Sequence, residues 1–162
     1  MKEYKYILLL VKNNSGVLHK ITGLFVKRGI NIETINSGEC NLKNIIRVTI
    51  SGFWDEYTTN QLIVQSKKLF DVLFVKELES KNSIIKELTF IKIELKDCET
   101  AKIDELIYKL NGKILEKTDT NLIVQFVESP IEISKKISSM KAFKVVEILK
   151  TGSIGMNRGV EI

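Results

Sequence analysis

The chain has 162 residues, 44% of them hydrophobic and 28% charged, with a net charge of +5; that composition is globular and fits one domain, or two small ones of about 80 residues each. The lysines are scattered along the chain and the base-stacking aromatic motif of an RNA-binding sheet is absent, so the charge reads as a solvated surface rather than a nucleic-acid face. The two cysteines, Cys40 and Cys98, lack C-x-x-C spacing and argue against a disulfide framework or a thiolate metal site, no run is long enough to span a bilayer, and Ile7–Val11 is too short for a signal peptide, so a cytoplasmic protein is the expectation.

The first element, YKYILLLV, has the nearly all-apolar character of a strand buried on both faces. A polar turn, NNSG, follows. Val17, Ile21, Leu24 and Phe25 then fall at helical offsets on one stripe, with Ser15 as the expected N-cap and Gly29 as the stop. INIETINS is expected to be the next strand, and NIIRVTISGF a strand with one wetter face. Asp55 is expected to begin a weaker helix running to about Leu69, and DVLFVKEL to close the set, giving the order βαββαβ.

ESKNS, Glu79 to Ser83, reads as a short polar break, after which the plan repeats. LTFIKIELK is a strand. Ile103, Leu106, Ile107 and Leu110 make a helical stripe stopped at Asn111-Gly112. GKILEK and NLIVQFVE are strands around a turn at Asp119. Ser129-Pro130-Ile131-Glu132 has the spacing of a capping box with the only proline at N1, and FKVVEILK is the last strand. The glycine-rich tail TGSIGMNRGVEI is expected to be loose or partner-dependent. The fold class is therefore α+β: two tandem ferredoxin-like βαββαβ domains, over residues 1–79 and 84–162.

The two halves differ at the first turn, KNNSG in one and KDCET in the other. A helix start carries backbone N–H groups without partners and partial positive charge, so a carboxylate is welcome there. Gly16 lets a ligand approach the backbone, and the Asn13 amide can accept from an ammonium and donate to a carboxylate. In one βαββαβ unit Asn31 starts at the end of the sheet opposite Asn13, so the two asparagines would share a ligand only across a pair of antiparallel units. The same residues also suit a turn and a helix exit, and the sequence alone leaves both readings open. No catalytic constellation emerges: His19 lies off the apolar stripe, and there is no nucleophile elbow, zinc-protease helix, Walker loop or dinucleotide fingerprint.

The run N-x-S-G-V-L-x-[KR]-I-x-G-L-F-x-x-R-G-x-N-I-E, Asn13 to Glu33, resembles the opening of the acetolactate synthase (acetohydroxyacid synthase) small regulatory subunits, an ACT-domain family. The resemblance continues through R-x-T-I at Arg47–Ile50, K-L-x-D-V at Lys68–Val72, E-L-x-x-I-K-I at Glu87–Ile93 and V-V-E-I-x-x-[ST]-G-x-x-G-x-x-R-G at Val145–Gly159, covering nearly the whole chain. It implies an N-terminal ACT domain, a C-terminal ferredoxin-like domain, a homodimer, and no catalytic activity in this chain. It implies a partner, the large catalytic subunit with thiamine diphosphate, magnesium and FAD, whose activity this chain raises in branched-chain amino-acid biosynthesis. It also implies feedback inhibition by L-valine bound between paired ACT domains, with Asn13 and Gly16 of one chain and Asn31 of the other as contacts. The N–H groups around Gly16, Val17 and Leu18 would take the carboxylate, and Ile32 would pack the isopropyl group. The departures from the family pattern are Lys12, His19 and Ser37–Asn44, which lacks the usual aspartate-proline loop; they bear on effector affinity and identity. The alternatives are a free-standing ACT sensor, which would bind an amino acid without affecting acetolactate synthesis, and a nucleic-acid binder, whose affinity would fall steeply with salt.

Overall fold

The structure is a computed structural model describing residues 1–95 and 100–159. Strand β1 (Glu3–Lys12) explains its own composition: Tyr6 through Val11 are all buried, because the strand is central in its sheet and both faces are covered. Helix α1 (Val17–Val26), strands β2 (Thr34–Glu39) and β3 (Ile45–Trp54), helix α2 (Glu56–Ser66) and strand β4 (Val72–Glu77) follow. The sheet order is β2-β3-β1-β4, and every neighbouring pair is antiparallel. Ile7, Leu9 and Val11 face the helices and pack with Val17, Ile21 and Phe25 of α1 and Leu62 of α2. On the other face Tyr6 and Leu8 cluster with Leu78 and Ile85.

In the second half, strand β5 (Ser83–Glu94), helix α3 (Thr100–Lys109), strands β6 (Lys113–Lys117) and β7 (Asn121–Glu128), helix α4 (Pro130–Ser139) and strand β8 (Lys144–Lys150) repeat the plan in the order β6-β7-β5-β8. Ile91, Ile93, Val124 and Phe126 from the sheet pack with Ile103 and Ile107 of α3 and Ile133 of α4. Ser129 caps α4, accepting from the Glu132 N–H, with Pro130 at the first position. The fold class is thus α+β, with two ferredoxin-like βαββαβ units as expected.

The chain divides into two compact units, one of Met1–Ile85 with the tail from Ser153 onward, the other of Lys86–Gly152. The expected polar break at Glu79–Ser83 is shorter than its composition suggests, since Ser83 is buried and opens β5. The tail differs more. Ile154–Asn157 form strand β9, which pairs with β5; the Arg158 N–H donates to Asn82 O and the Ser83 hydroxyl to Asn157 Oδ1. Gly155 lies close against Leu78, whose side chain would have to shift to admit a Cβ. The Arg47 guanidinium, pushed below its usual pKa by burial, donates to Gly155 O and ties the tail to β3. At Gly155, glycine thus marks close approach, while Gly152 and Gly159 take left-handed φ. Strand β2 begins at Thr34, not Ile30: the Ile30 N–H closes α1 onto Phe25 O, and Ile30 and Ile32 pack against the first core. The turn KDCET and Cys98 lie, save Thr100, outside the described residues.

Candidate functional site

The end of β1 is held by backbone bonds before the chain turns into α1. The Lys12 N–H donates to Asp71 O at 2.9 Å, that of Asn13 to Asn44 O at 2.8 Å, and that of Asn14 back to Lys12 O at 2.8 Å. Gly16 then takes φ +79°, a left-handed conformation that other residues adopt only with strain, and it is the residue that caps α1. Ser15 therefore does not cap the helix as expected, and α1 has no side-chain cap at all. By contrast Asp55 caps α2, accepting from the Thr58 N–H at 2.8 Å. The Val17 N–H finds Asn14 O, but those of Leu18 and His19 have no backbone acceptor among the described residues. The partial positive charge of this helix start is left for something outside the chain's own backbone.

These groups open onto a cleft of about 340 Å³. One wall is the turn and helix start, Asn13, Asn14 and Gly16–His19; the other is the end of β2, Ser37–Glu39, with Ile46 below. The β2–β3 register, Glu39 opposite Ile46 and Gly38 opposite Arg47, brings β2 to the same end of the sheet as Asn13. The cleft offers N–H donors for a carboxylate, the Glu39 carboxylate and Asn13 amide as acceptors for an ammonium, and Val17, Leu18 and Ile46 for apolar contact. Nothing lies within 4 Å of where a Gly16 Cβ would be, so the approach to the backbone is open.

Beneath the turn sits Asp71, 3% exposed. Its Oδ1 accepts from Asn14 Nδ2 and its Oδ2 from Lys20 Nζ, both at 2.8 Å. The Lys20 ammonium, and then the Asn14 amide, hold its carboxyl below the usual range.

Of the residues singled out in the sequence, Asn13, Gly16, Val17 and Leu18 come together on the cleft, whereas Asn31 and Ile32 do not. Asn31 donates from its side chain to Glu33 Oε1 at 2.8 Å, and its carbonyl accepts from Trp54 Nε1 at 3.0 Å. It precedes Thr34, which pairs with Ser51, while Lys12 pairs with Ile45. Asn13 and Asn31 of one chain are therefore at opposite ends of the sheet. Sequence reasoning did not select Asn14, His19, Ser37, Gly38, Glu39 or Ile46. The available signal was the departure from the family pattern at His19 and at the start of Ser37–Asn44, since His19 and Ser37–Glu39 fall on the cleft walls. No helix among the described residues is long and apolar enough to cross a membrane.

Two families match the chain, and together they span nearly all of it. One, described as the AHAS small subunit-like ACT domain, matches residues 7–74; the other, described as the small subunit of acetolactate synthase, matches residues 86–159. The acetolactate synthase small subunit of Bacillus subtilis is 30% identical over 158 residues, covering 97% of this chain and 92% of its own. The small subunit of acetolactate synthase isozyme 3 from Salmonella typhimurium is also 30% identical, over 95% of both chains. Among solved structures, the acetolactate synthase small subunit from Thermotoga maritima superposes with a TM-score of 0.88 at 27% identity, covering 98% of this chain and 99% of that one.

Proposed function

The chain belongs to the acetolactate synthase small-subunit family, and from that premise we propose that it activates a catalytic large subunit and confers feedback inhibition by L-valine. The observation that carries the sensing role is the uncapped start of α1: a left-handed Gly16 and N–H groups without backbone acceptors, facing a cleft beside Asn13. The valine carboxylate is received by these N–H groups, where the helix dipole favours negative charge. The Asn13 amide takes the ammonium, and Val17 and Leu18 meet the side chain. Because Asn31 lies at the far end of its own sheet, it reaches the ligand only from a second copy, so the site completes at the interface of a homodimer. Ile32, beside it, packs the isopropyl group from that second copy.

The chemistry of acetolactate synthesis, with thiamine diphosphate, magnesium and FAD, resides on the large subunit, and this chain acts on it by linkage. Valine inhibits to the extent that it binds the inhibited arrangement more tightly than the active one; a tenfold preference is about 1.4 kcal/mol. A pocket separates valine from a homologue one methylene larger by only about 1–3 kcal/mol, so leucine and isoleucine compete. Calorimetric titration with L-valine, L-leucine, L-isoleucine and L-lysine tests the sensing role. Saturable valine binding that is lost in Asn13→Ala supports it. Binding that survives Asn13→Ala places the effector elsewhere, and binding to none of the four removes sensing from the free chain.

A further inference from the structure

Asn14 and Lys20 do not meet the effector in the scheme above, yet both are tied to one buried carboxylate carried by a different part of the chain. Asp71 lies in the link between α2 and β4, 57 residues from Asn14 and 51 from Lys20. Its two oxygens are divided between them, one bonding the NNSG turn and the other the first turn of α1. Its carbonyl accepts from the Lys12 N–H, just before the turn. One residue thus grips the segment at Lys12, Asn14 and Lys20, on both sides of Gly16.

We propose that Asp71 is a positioning residue for the effector turn, holding Asn14 inward and Lys20 aside so that Asn13 and the free N–H groups at the start of α1 face the cleft. This rests on the effector reading given above. Glycine at 16 allows many backbone conformations, and α1 has no side chain of its own capping it, so local sequence does not fix the shape of the turn. Stability alone does not explain the carboxylate, although its lowered pKa shows that Lys20 and Asn14 more than offset its burial. Lys20 is 55% exposed, Asn14 is exposed, and both would be hydrated if released; ion pairs of that kind contribute little, while Asp71 gives up its own water to be only 4% exposed at the side chain. What the arrangement secures is geometry. Asn14 with its amide turned to Asp71 cannot swing into the cleft and compete for the carboxylate.

The test compares Asp71→Ala, Asn14→Ala, the double variant and Asp55→Ala, the last removing the cap of α2 as a control for general loss of stability. Two readouts are taken on the full chain: amide hydrogen exchange of Val17 and Lys20 without ligand, and calorimetric titration with L-valine. The expected result is that Asp71→Ala speeds exchange at Val17 and Lys20 at least tenfold while amides of the Lys86–Gly152 unit are unchanged. Valine affinity should fall at least tenfold in Asp71→Ala and at least threefold in Asn14→Ala, the double variant should be no weaker than Asp71→Ala, and Asp55→Ala should bind as the parent does. Unchanged exchange in Asp71→Ala overturns the proposal, as do losses of affinity that simply add in the double variant. If the parent chain binds no valine, the effector reading fails on its own, and the exchange measurement alone decides whether Asp71 sets the turn.

Discussion

Gly16 and Gly29 allow a matched test of the site. They flank the same helix, both take left-handed φ (+79° and +62°), and an added Cβ at either meets nothing within 4 Å. Alanine therefore costs only backbone strain at each position, about 1–2 kcal/mol. Reduced freedom of the unfolded chain offsets about 0.4–1 kcal/mol of it. The net is about 1 kcal/mol for both, a fall in Tm of about 2–4 °C for a chain of this size. Only Gly16 borders the cleft. A methyl group there stands in the path of the valine carboxylate, and losing one hydrogen bond to a charged group is worth about 1.5–3 kcal/mol, or roughly tenfold or more in affinity. Calorimetry with L-valine and thermal melts on Gly16→Ala and Gly29→Ala should therefore show equal stability losses and a binding loss confined to Gly16→Ala. Equal affinity in the two variants would refute the placement of the carboxylate at this helix start.

Ile21→Ala empties the centre of the first core, where Ile21 is 0% exposed, and should cost about 2–5 kcal/mol. Trp54, the only tryptophan, sits in that core, so its fluorescence in a urea titration reports the lowered midpoint. Glu128 is held below its ordinary pKa of 4.5 by Lys86 and Lys136. Its contribution is thus present above pH 4.5 and lost as pH falls through the lowered folded-state value. Glu128→Gln should flatten the acid side of the stability profile by about 1 kcal/mol at most, as read from urea midpoints between pH 3 and 7 (roughly the range that spans carboxylate titration). Arg47→Ala removes the donor to Gly155 O, a charged hydrogen bond worth about 1.5–3 kcal/mol, and should speed amide exchange in β9 while sparing the β1–β3 ladder. Unchanged exchange in β9 would contradict that role.

Much of the fold is written in local pattern. The stripe Val17, Ile21, Phe25 and the alternation of β3 and β7 each set one face toward a core, and Ser129-Pro130 and Asp55 fix helix starts through contacts within four residues. What escaped the sequence is non-local or conformational. Ser15 has the chemistry of an N-cap, but the left-handed backbone at Gly16 places the cap one residue later. The tail looked loose because strand formation there depends on Leu78, Ile85 and Arg47, far away in the chain. At the site, the turn with Asn13 and Gly16 was legible from helix-start chemistry. The second wall was not, because Ser37–Glu39 reach it only through the β2–β3 register. Asp71 was equally hidden, since nothing local links it to a turn 57 residues away.

The most direct measurement is reconstitution: acetolactate synthesis by the purified large subunit, with and without this chain, across a valine titration. The chain should raise the rate, valine should lower it again, and Asn13→Ala should keep the activation while losing the inhibition. A large subunit whose rate is indifferent to the chain would contradict the regulatory role, and an Asn13→Ala complex inhibited like the parent would contradict the site.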